Sequence, residues 1–179
     1  MNNMAIEVEL RSFITKEKYD ELILFFKKNG KLLSEDYQET FYLDEQGDLR
    51  IQRNNFYSKL WTKKGKLHDE QREEMEIRFA KEDFENLEKI MSSLGHNVHI
   101  KWFRNRHTFE WNGVSAMVDY TKGYGYILEL EIMSNESKKD KDLAKLIERF
   151  KQLKIDITPK EEFNMKYNEY KENWRSLIK

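Results

Sequence analysis

Two short segments of the sequence carry a charged residue at every second position, with aliphatic residues between. The first is Glu7-Val8-Glu9-Leu10-Arg11 and the second is Glu129-Leu130-Glu131. Successive side chains of an extended strand point to opposite faces, so this spacing places the charges together on one face. Two such strands would bring four carboxylates and a guanidinium towards a shared space. The combination predicts a site for a divalent cation and its anionic substrate, and therefore an enzyme.

The overall composition narrows the kinds of protein and site to which these charges can belong. The chain has 179 residues, the size of one ordinary domain, so we expect a single domain over residues 1–179. Charged residues make up 36% of the chain, yet the formal net charge is only −1, and this balance argues against general nucleic-acid binding. There are no cysteines, which excludes thiolate metal sites and cysteine nucleophiles. An oxygen-ligated cation is therefore the metal to expect.

The sequence also bears on the compartment. No apolar run reaches membrane-spanning length, and the mean hydropathy is −0.90. The first four residues, Met-Asn-Asn-Met, lack the basic and apolar regions of a secretion signal. We expect a soluble, cytoplasmic protein without a membrane partner, and the sequence does not indicate an oligomeric state.

Hydrophobic periodicity predicts a strand-rich region over residues 4–134, interrupted by two helices. Helical spacing appears at 16–28 and at 81–94, whereas the rest alternates with period two. Turns are predicted at 44–48 and 64–66, and Asn112-Gly113 is a strong hairpin signal. The predicted strands are 5–13, 38–43, 49–53, 57–63, 72–79, 98–111, 114–121 and 126–133.

The remaining part, about residues 137–178, is predicted to be helical. Residues 138–153 are amphipathic, and Thr158-Pro159-Lys160-Glu161 has the form of a capping box with proline at the first helical position. Large side chains then recur at helical spacing. This stripe has two interpretations, packing on the sheet, which we favour, or a plug over one end of the site. Its members are Phe163, Tyr167, Tyr170, Trp174 and Leu177.

The charged residues of each predicted strand occupy alternate positions and therefore share one face. This pattern predicts that they line the inside of a curled sheet. A single strand of this kind normally has one solvated face. A sheet of six such strands curls towards closure, and the amphipathic helices need apolar surface to cover, so the aliphatic faces should point outward and the charged faces inward. Buried charges need counterions, which predicts metal for the acids and a polyanion for the bases. The charges of each strand are Glu7, Glu9 and Arg11; Arg50; Lys59 and Lys63; Arg72, Glu74 and Glu76; Arg104 and Arg106; Glu129 and Glu131.

These segments resemble, in order, the motifs of the CYTH or triphosphate tunnel metalloenzyme superfamily, which includes thiamine triphosphatases, inorganic triphosphatases and class IV adenylate cyclases. The first segment is similar to the N-terminal Glu-x-Glu-x-Lys of that superfamily, with Arg11 in the lysine position. The closing motif of the superfamily is similar to the segment of this chain that begins at Asp119 and continues with Gly123-Tyr124-Gly125, Ile127 and Glu129-Leu130-Glu131. Another motif of the superfamily is Leu-Arg-Ile-Arg, and in this chain Gln52 stands in place of its second arginine. The other matching segments are Leu49-Arg50-Ile51, Lys59-Leu60-Trp61-Thr62-Lys63, Arg72-Glu73-Glu74, and Lys101, Arg104 and Arg106.

The resemblance implies an α+β fold, in which a closed eight-stranded antiparallel β tunnel has a charged interior and helices packed outside. It implies Mg²⁺ or Mn²⁺ as the cofactor and a triphosphate-containing small molecule as the partner. The implied metal ligands are Glu7, Glu9, Asp119, Glu129 and Glu131, with Glu74 and Glu76 as second choices. The implied substrate-binding residues are Arg11, Arg50, Lys59, Lys63, Arg72, Lys101, Arg104 and Arg106. Glu7, Glu9 and Arg11 are the implied catalytic residues.

The expected function is metal-dependent hydrolysis of the terminal phosphate of an inorganic or organic triphosphate. A class IV adenylate cyclase, which converts ATP to cyclic AMP and pyrophosphate, is the close alternative because one tunnel can serve both reactions. The sequence shows no set of residues that identifies a purine pocket. A non-catalytic polyanion-binding module is the third possibility, motivated by Arg11 and Gln52.

Overall fold

The computed structural model describes residues 6–43, 48–64 and 71–179, without the side chains of residues 63–64 and 71–74. Within these ranges the chain forms eight strands and four α-helices. The strands are β1 (Ile6–Ile14), β2 (Lys31–Tyr42), β3 (Leu49–Arg53), β4 (Ser58–Lys64), β5 (Gln71–Phe79), β6 (Ile100–Trp111), β7 (Val114–Thr121) and β8 (Gly125–Ser134). The helices are α1 (Lys16–Asn29), α2 (Phe84–Ser93), α3 (Lys139–Gln152) and α4 (Lys160–Leu177).

The strands form a closed antiparallel barrel in the order β1-β5-β4-β3-β2-β6-β7-β8. β1 pairs with β8 along its whole length, from Ile6 opposite Ser134 to Ile14 opposite Tyr126. Its other edge meets β5 where Glu7 lies opposite Arg72, which is the shortest seam among the described residues. The predicted α+β fold with a closed eight-stranded tunnel is confirmed.

The outer face of the barrel is apolar and lies beneath helices. α1 and α3 cover β1, β6, β7 and β8, and α2 covers a second cluster on β2 and β3. Because the aliphatic residues of each strand occupy these outer positions, the charged residues of opposite parity face the lumen. The first cluster contains Val8, Leu10, Leu22, Phe26, Phe109, Val118, Leu128, Leu130, Leu146 and Phe150.

Helix α4 packs differently from the other three. Its Tyr170 and Trp174 form a cluster with Ile100 and Trp102 at one end of β6. The Tyr170 hydroxyl donates a hydrogen bond to the carbonyl of Lys101 (2.9 Å), and the indole Nε1 of Trp174 donates to the carbonyl of His99 (2.8 Å). Helix α4 is therefore fastened across one end of the barrel.

Local predictions had mixed outcomes. Asn112 and Gly113 have φ of 50° and 71° and join β6 to β7, as the hairpin signal predicts. The prediction of a capping box is wrong, because Pro159 and not Thr158 is the N-cap of α4. The Oγ1 of Thr158 instead accepts a hydrogen bond from the backbone N–H of Phe13 (3.0 Å). β2 begins at Lys31 rather than at residue 38, since it pairs with β6 from that residue onward.

Three further predictions concern the two turns, the membrane and the number of domains. Residues 44–47 and 65–66, which include most of the two predicted turns, lie outside the described residues. Among the described helices, none combines the length and the apolar composition needed to cross a membrane. The assignment of residues 1–179 to a single domain stays a prediction.

The outer apolar cluster should supply much of the stability of the barrel. Leu130 is fully buried between β8 and the helices, so Leu130→Ala leaves a cavity and should lower the free energy of unfolding by about 2–5 kcal/mol, measured by urea denaturation. Ile77 on β5 is 62% exposed and provides the control. Equal losses for Leu130→Ala and Ile77→Ala would contradict this packing.

Candidate metal and phosphate site

A cavity of about 480 Å³ occupies the lumen of the barrel. Its lining comes from the inward parity of seven strands and from α4, and it includes both carboxylates and cationic side chains. Most of the site residues predicted from the sequence therefore face one enclosed space. They are Glu7, Glu9, Arg11, Arg50, Lys59, Arg104, Arg106, Asp119, Glu129 and Glu131.

Three of these carboxylates form a compact acidic cluster, made by Glu7, Glu9 and Glu131. One ligand oxygen from each lies within 4.8 Å of the other two. The backbone sets this geometry, because Glu7 and Glu9 are two residues apart on β1 and Glu9 pairs directly with Glu131 on β8. Such a group of carboxylate oxygens fits a hard divalent cation.

Electrostatics within the acidic cluster also favour a cation. Burial, followed by the nearby charges of Glu7 and Glu129, raises the pKa of Glu131 from 4.5 to about 9. A carboxyl in this position holds its proton at neutral pH unless a positive charge replaces it. A divalent cation would supply that charge.

The other two predicted metal ligands have different neighbours. Asp119 is almost fully buried and accepts hydrogen bonds from the Nε (2.9 Å) and Nη2 (2.6 Å) of Arg106, and from the Nη1 of Arg104 (3.3 Å). Glu129 accepts one from the Nη2 of Arg106 (3.2 Å). Burial lowers the pKa of Arg106, but these two carboxylates outweigh it and raise that pKa above its ordinary value. Asp119 is thus placed to orient arginines, and Glu129 lies between the arginines and the acidic cluster.

Arg104 is held by a chain of polar side chains that the sequence motifs do not include. Its Nε (2.9 Å) and Nη2 (2.5 Å) both donate to the Oε1 of Gln38. The Nε2 of Gln38 donates to Asp36 (3.0 Å), which also accepts from the backbone N–H of Asn55 (3.0 Å). Asp36 and Gln38 share the inward parity of β2, so the alternation of that strand was the signal that could have found them.

Three further cations lie over aromatic rings. The guanidinium carbon of Arg50 is 4.4 Å from the ring centroid of Tyr42, and Lys59 Nζ is 4.4 Å from that of Trp61. Arg11 lies 5.3 Å from the ring centroid of Phe163 on α4 and 3.5 Å from Glu9. Each of these cations also has a carboxylate partner, which is Glu9 for Arg11, Asp48 for Arg50 and Glu76 for Lys59. In the sequence, Trp61 stands out only as part of a motif.

The remaining predicted site residues do not join this group in the described structure. Lys101 lies on the outer face of β6, with its Nζ 4.1 Å from the ring centroid of Phe41, so we leave it out of the substrate-binding set. Glu76, a second-choice metal ligand, accepts from Lys59 (2.9 Å) and Arg78 (2.7 Å). The side chains of Lys63, Arg72 and Glu74 lie outside the described part of the structure, and their roles stay predictions.

Comparison with known sequences assigns the family. The sequence description of the CYTH domain matches residues 5–161. The chain belongs to the CYTH domain family. No curated protein sequence matches it significantly.

Solved structures of other proteins share the CYTH fold of this chain. A conserved hypothetical protein from Pyrococcus furiosus superposes with a TM-score of 0.73 at 24% identity, covering 84% of this chain and 91% of that one. A candidate adenylate cyclase from Vibrio parahaemolyticus gives 0.68 at 17% identity, covering 88% and 96%. A candidate adenylyl cyclase from Hippeastrum, described as having a dominant triphosphatase activity, gives 0.63 at 19% identity, covering 92% and 96%. Because all three sequence identities are below 25%, these similarities show a shared fold and nothing more.

The acidic cluster makes a prediction about stability and pH. Between pH 4.5 and about 9 the folded state binds the Glu131 proton more tightly than the unfolded state, so this group makes the metal-free protein less stable as the pH rises through that range. Glu131→Gln is always neutral and removes this loss. The gain in Tm of Glu131→Gln over the wild type, measured in chelator, should therefore be larger at pH 9 than at pH 6.

The same pair of proteins tests the metal ligand. Mg²⁺ at pH 7.5 should raise the Tm of the wild type and have much less effect on Glu131→Gln. Glu169→Gln, an exposed position on α4, removes the same charge elsewhere and should behave as the wild type. A Tm loss for Glu131→Gln that is equal at pH 6 and pH 9, with an unchanged Mg²⁺ response, would contradict the cluster.

Proposed function

We propose that this chain is a divalent-metal-dependent enzyme that hydrolyses the terminal phosphate of an inorganic or organic triphosphate. The observation that supports this most strongly is the presence of the acidic cluster and several arginines on the walls of one cavity. A divalent cation among the acids would offset their mutual repulsion, and guanidinium groups have the N–H geometry that suits the oxygens of a phosphate chain. A phosphate chain with a bound metal ion satisfies both needs at once.

In this proposal the basic residues bind and orient the phosphate chain. Arg106 is fixed by Asp119 and Glu129, and Arg104 by Gln38, so their guanidinium groups are set before substrate arrives. Arg11 and Arg50 extend the cationic surface towards α4, and Lys59 lines the same cavity. Such preorganised donors stabilise the charge that develops on the transferred phosphoryl group and on the leaving oxygen.

Glu7, Glu9 and Glu131 would hold Mg²⁺ or Mn²⁺, which when bound would offset the charge of phosphate oxygens and acidify a water molecule. Glu7 and Glu9 would orient the attacking water and accept its proton. The water oxygen forms a bond to the terminal phosphorus while the bridging P–O bond breaks. Orthophosphate and the shortened chain are released.

An adenylate cyclase activity is the second candidate, favoured by aromatic residues in the cavity. Tyr42, Trp61, Trp102 and Tyr124 all contribute to its lining near α4. Aromatic rings can stack on a purine, and the sequence had shown no such group. In that reaction the ribose hydroxyl attacks the α-phosphorus of ATP, and pyrophosphate leaves.

Incubation with tripolyphosphate, thiamine triphosphate and ATP, each with Mg²⁺ or Mn²⁺, tests the proposal. We expect orthophosphate as a product and no turnover in chelator. Glu9→Gln should reduce kcat by roughly 10²-fold or more, because it removes a buried carboxylate from the metal and water site, whereas Glu169→Gln should leave kcat unchanged. Cyclic AMP as the main product would favour the cyclase, and tight tripolyphosphate binding without any product would favour a non-catalytic binding module.

The chain of contacts behind Arg104 makes a separate prediction about substrate affinity. Gln38→Leu keeps a similar volume but removes the acceptor of two Arg104 hydrogen bonds, so KM for tripolyphosphate should rise by about tenfold. An unchanged KM in Gln38→Leu would contradict the positioning of Arg104 by Gln38.

A further inference from the structure

The hydroxyl group of Thr121 is buried in the lumen without a hydrogen-bond partner. Thr121 lies on the inward face of β7, lines the cavity and is 0% exposed. Within residues 6–43, 48–64 and 71–179, its Oγ1 makes no hydrogen bond. A buried hydroxyl without a partner destabilises a fold, and native proteins contain few of them. The fold by itself therefore does not explain a threonine at this position.

A second inward threonine shows how the lumen satisfies such a group. Thr40 on β2 also lines the cavity and is 3% exposed, but its Oγ1 donates a hydrogen bond to the Oε1 of Gln52 (3.1 Å). Valine has a similar shape without the hydroxyl, so packing alone would favour valine at position 121. The contrast indicates that the Thr121 hydroxyl has a partner that the described part of the chain does not supply.

Thr121 lies next to Arg104, which has hydrogen-bond donors to spare. The two residues are directly paired across β7 and β6, and both line the cavity. An arginine has five N–H groups. In the described structure, the Nε and Nη2 of Arg104 donate to Gln38 and its Nη1 donates to Asp119, which leaves one N–H on each terminal nitrogen. Arg104 can therefore donate two further hydrogen bonds to an anion.

The surroundings of this pair leave room for a ligand and connect it to the arginines of the site. On β8, Thr121 is paired with Gly125, where an added Cβ would meet no heavy atom within 4 Å beyond its chain neighbours. Arg104 shares Asp119 with Arg106, so the pair belongs to the wall of the cavity that carries the arginines. An anionic oxygen therefore has space beside Thr121 and cationic donors next to it.

We propose that Thr121 and Arg104 form a subsite for one phosphate group of the substrate, to which the Thr121 hydroxyl and the two remaining N–H groups of Arg104 donate hydrogen bonds. This inference rests on the binding of a phosphate chain in the proposed function, and it adds a neutral donor that the charged motifs of the sequence do not include. Substrate binding then satisfies the hydroxyl that folding leaves without a partner.

Removal of the hydroxyl should affect stability and binding in different directions. Thr121→Val removes a buried group without a partner, so the Tm of the ligand-free protein should equal or exceed that of the wild type. The same change should raise the Kd for tripolyphosphate, measured by calorimetry in chelator and with Mg²⁺, by roughly tenfold, because a hydrogen bond to a charged group is lost. KM should rise by a similar factor, and kcat should change less.

Two further variants separate the hydroxyl from the shape of the side chain and from general effects on the lumen. Thr121→Ser keeps the hydroxyl and should bind tripolyphosphate with nearly the wild-type Kd. Thr40→Val also removes a buried inward hydroxyl, but it breaks the hydrogen bond to Gln52. Thr40→Val should therefore lower the Tm and leave the Kd for tripolyphosphate unchanged, which is the reverse of the pattern expected for Thr121→Val.

Three results would overturn the subsite. An unchanged Kd and KM in Thr121→Val would show that the substrate does not use the hydroxyl. An equal loss of affinity in Thr121→Ser and Thr121→Val would show that the shape of the side chain matters instead. A Tm of Thr121→Val well below that of the wild type would show that the hydroxyl already has a partner in the folded protein.

The same measurements distinguish the subsite from the proposed hydrolysis. A wild type that binds tripolyphosphate without releasing orthophosphate, together with weaker binding by Thr121→Val, would support the subsite and contradict the hydrolysis. Hydrolysis of tripolyphosphate with equal KM in the wild type and Thr121→Val would do the reverse. A wild type that does not bind tripolyphosphate, with or without Mg²⁺, would overturn both.

Discussion

The structure depends on the enclosure of opposite charges inside a closed barrel. Burial of a charged carboxylate or arginine without an opposite charge destabilises a fold. The lumen compensates some of its charges more fully than others. Asp119 and Glu129 are matched to Arg106, whereas Glu7, Glu9 and Glu131 crowd together and raise the pKa of Glu131 to about 9. The described interior therefore pairs two carboxylates with an arginine in one part and groups three carboxylates within reach of a single cation in another.

The apolar outside of the barrel makes that interior possible. Because the side chains of a strand alternate, each inward glutamate on β1 and β8 is followed by an outward aliphatic residue such as Leu10 or Leu130. Helices α1, α2 and α3 bury those residues and thereby stabilise the fold, while α4 packs aromatic rings against one end of the barrel. The same alternation thus produces both the core and the site.

This alternation also explains how far the sequence could predict the structure. Parity places Glu9 and Glu131 on inward faces, and their direct pairing on neighbouring strands brings them together. It cannot say which inward residues become neighbours, so the contacts of Asp119 with two arginines appear only in the structure, and its role as a metal ligand stays a prediction. Lys101 has the opposite parity to Arg104, a signal in the sequence itself. The alternation of β2 could have placed Gln38 on the inward face, but Phe163 belongs to a helix, so only the tertiary structure shows that its ring reaches the cavity.

The central claim is that the acidic cluster and the arginines act on one metal-bound phosphate chain. Anomalous diffraction from crystals of the protein with Mn²⁺ and tripolyphosphate tests it most directly. The account predicts a manganese peak coordinated by oxygens of Glu7, Glu9 and Glu131 and by a phosphate oxygen, with the chain against Arg11 and Arg106. Manganese bound elsewhere, or a phosphate chain outside the lumen, would contradict it.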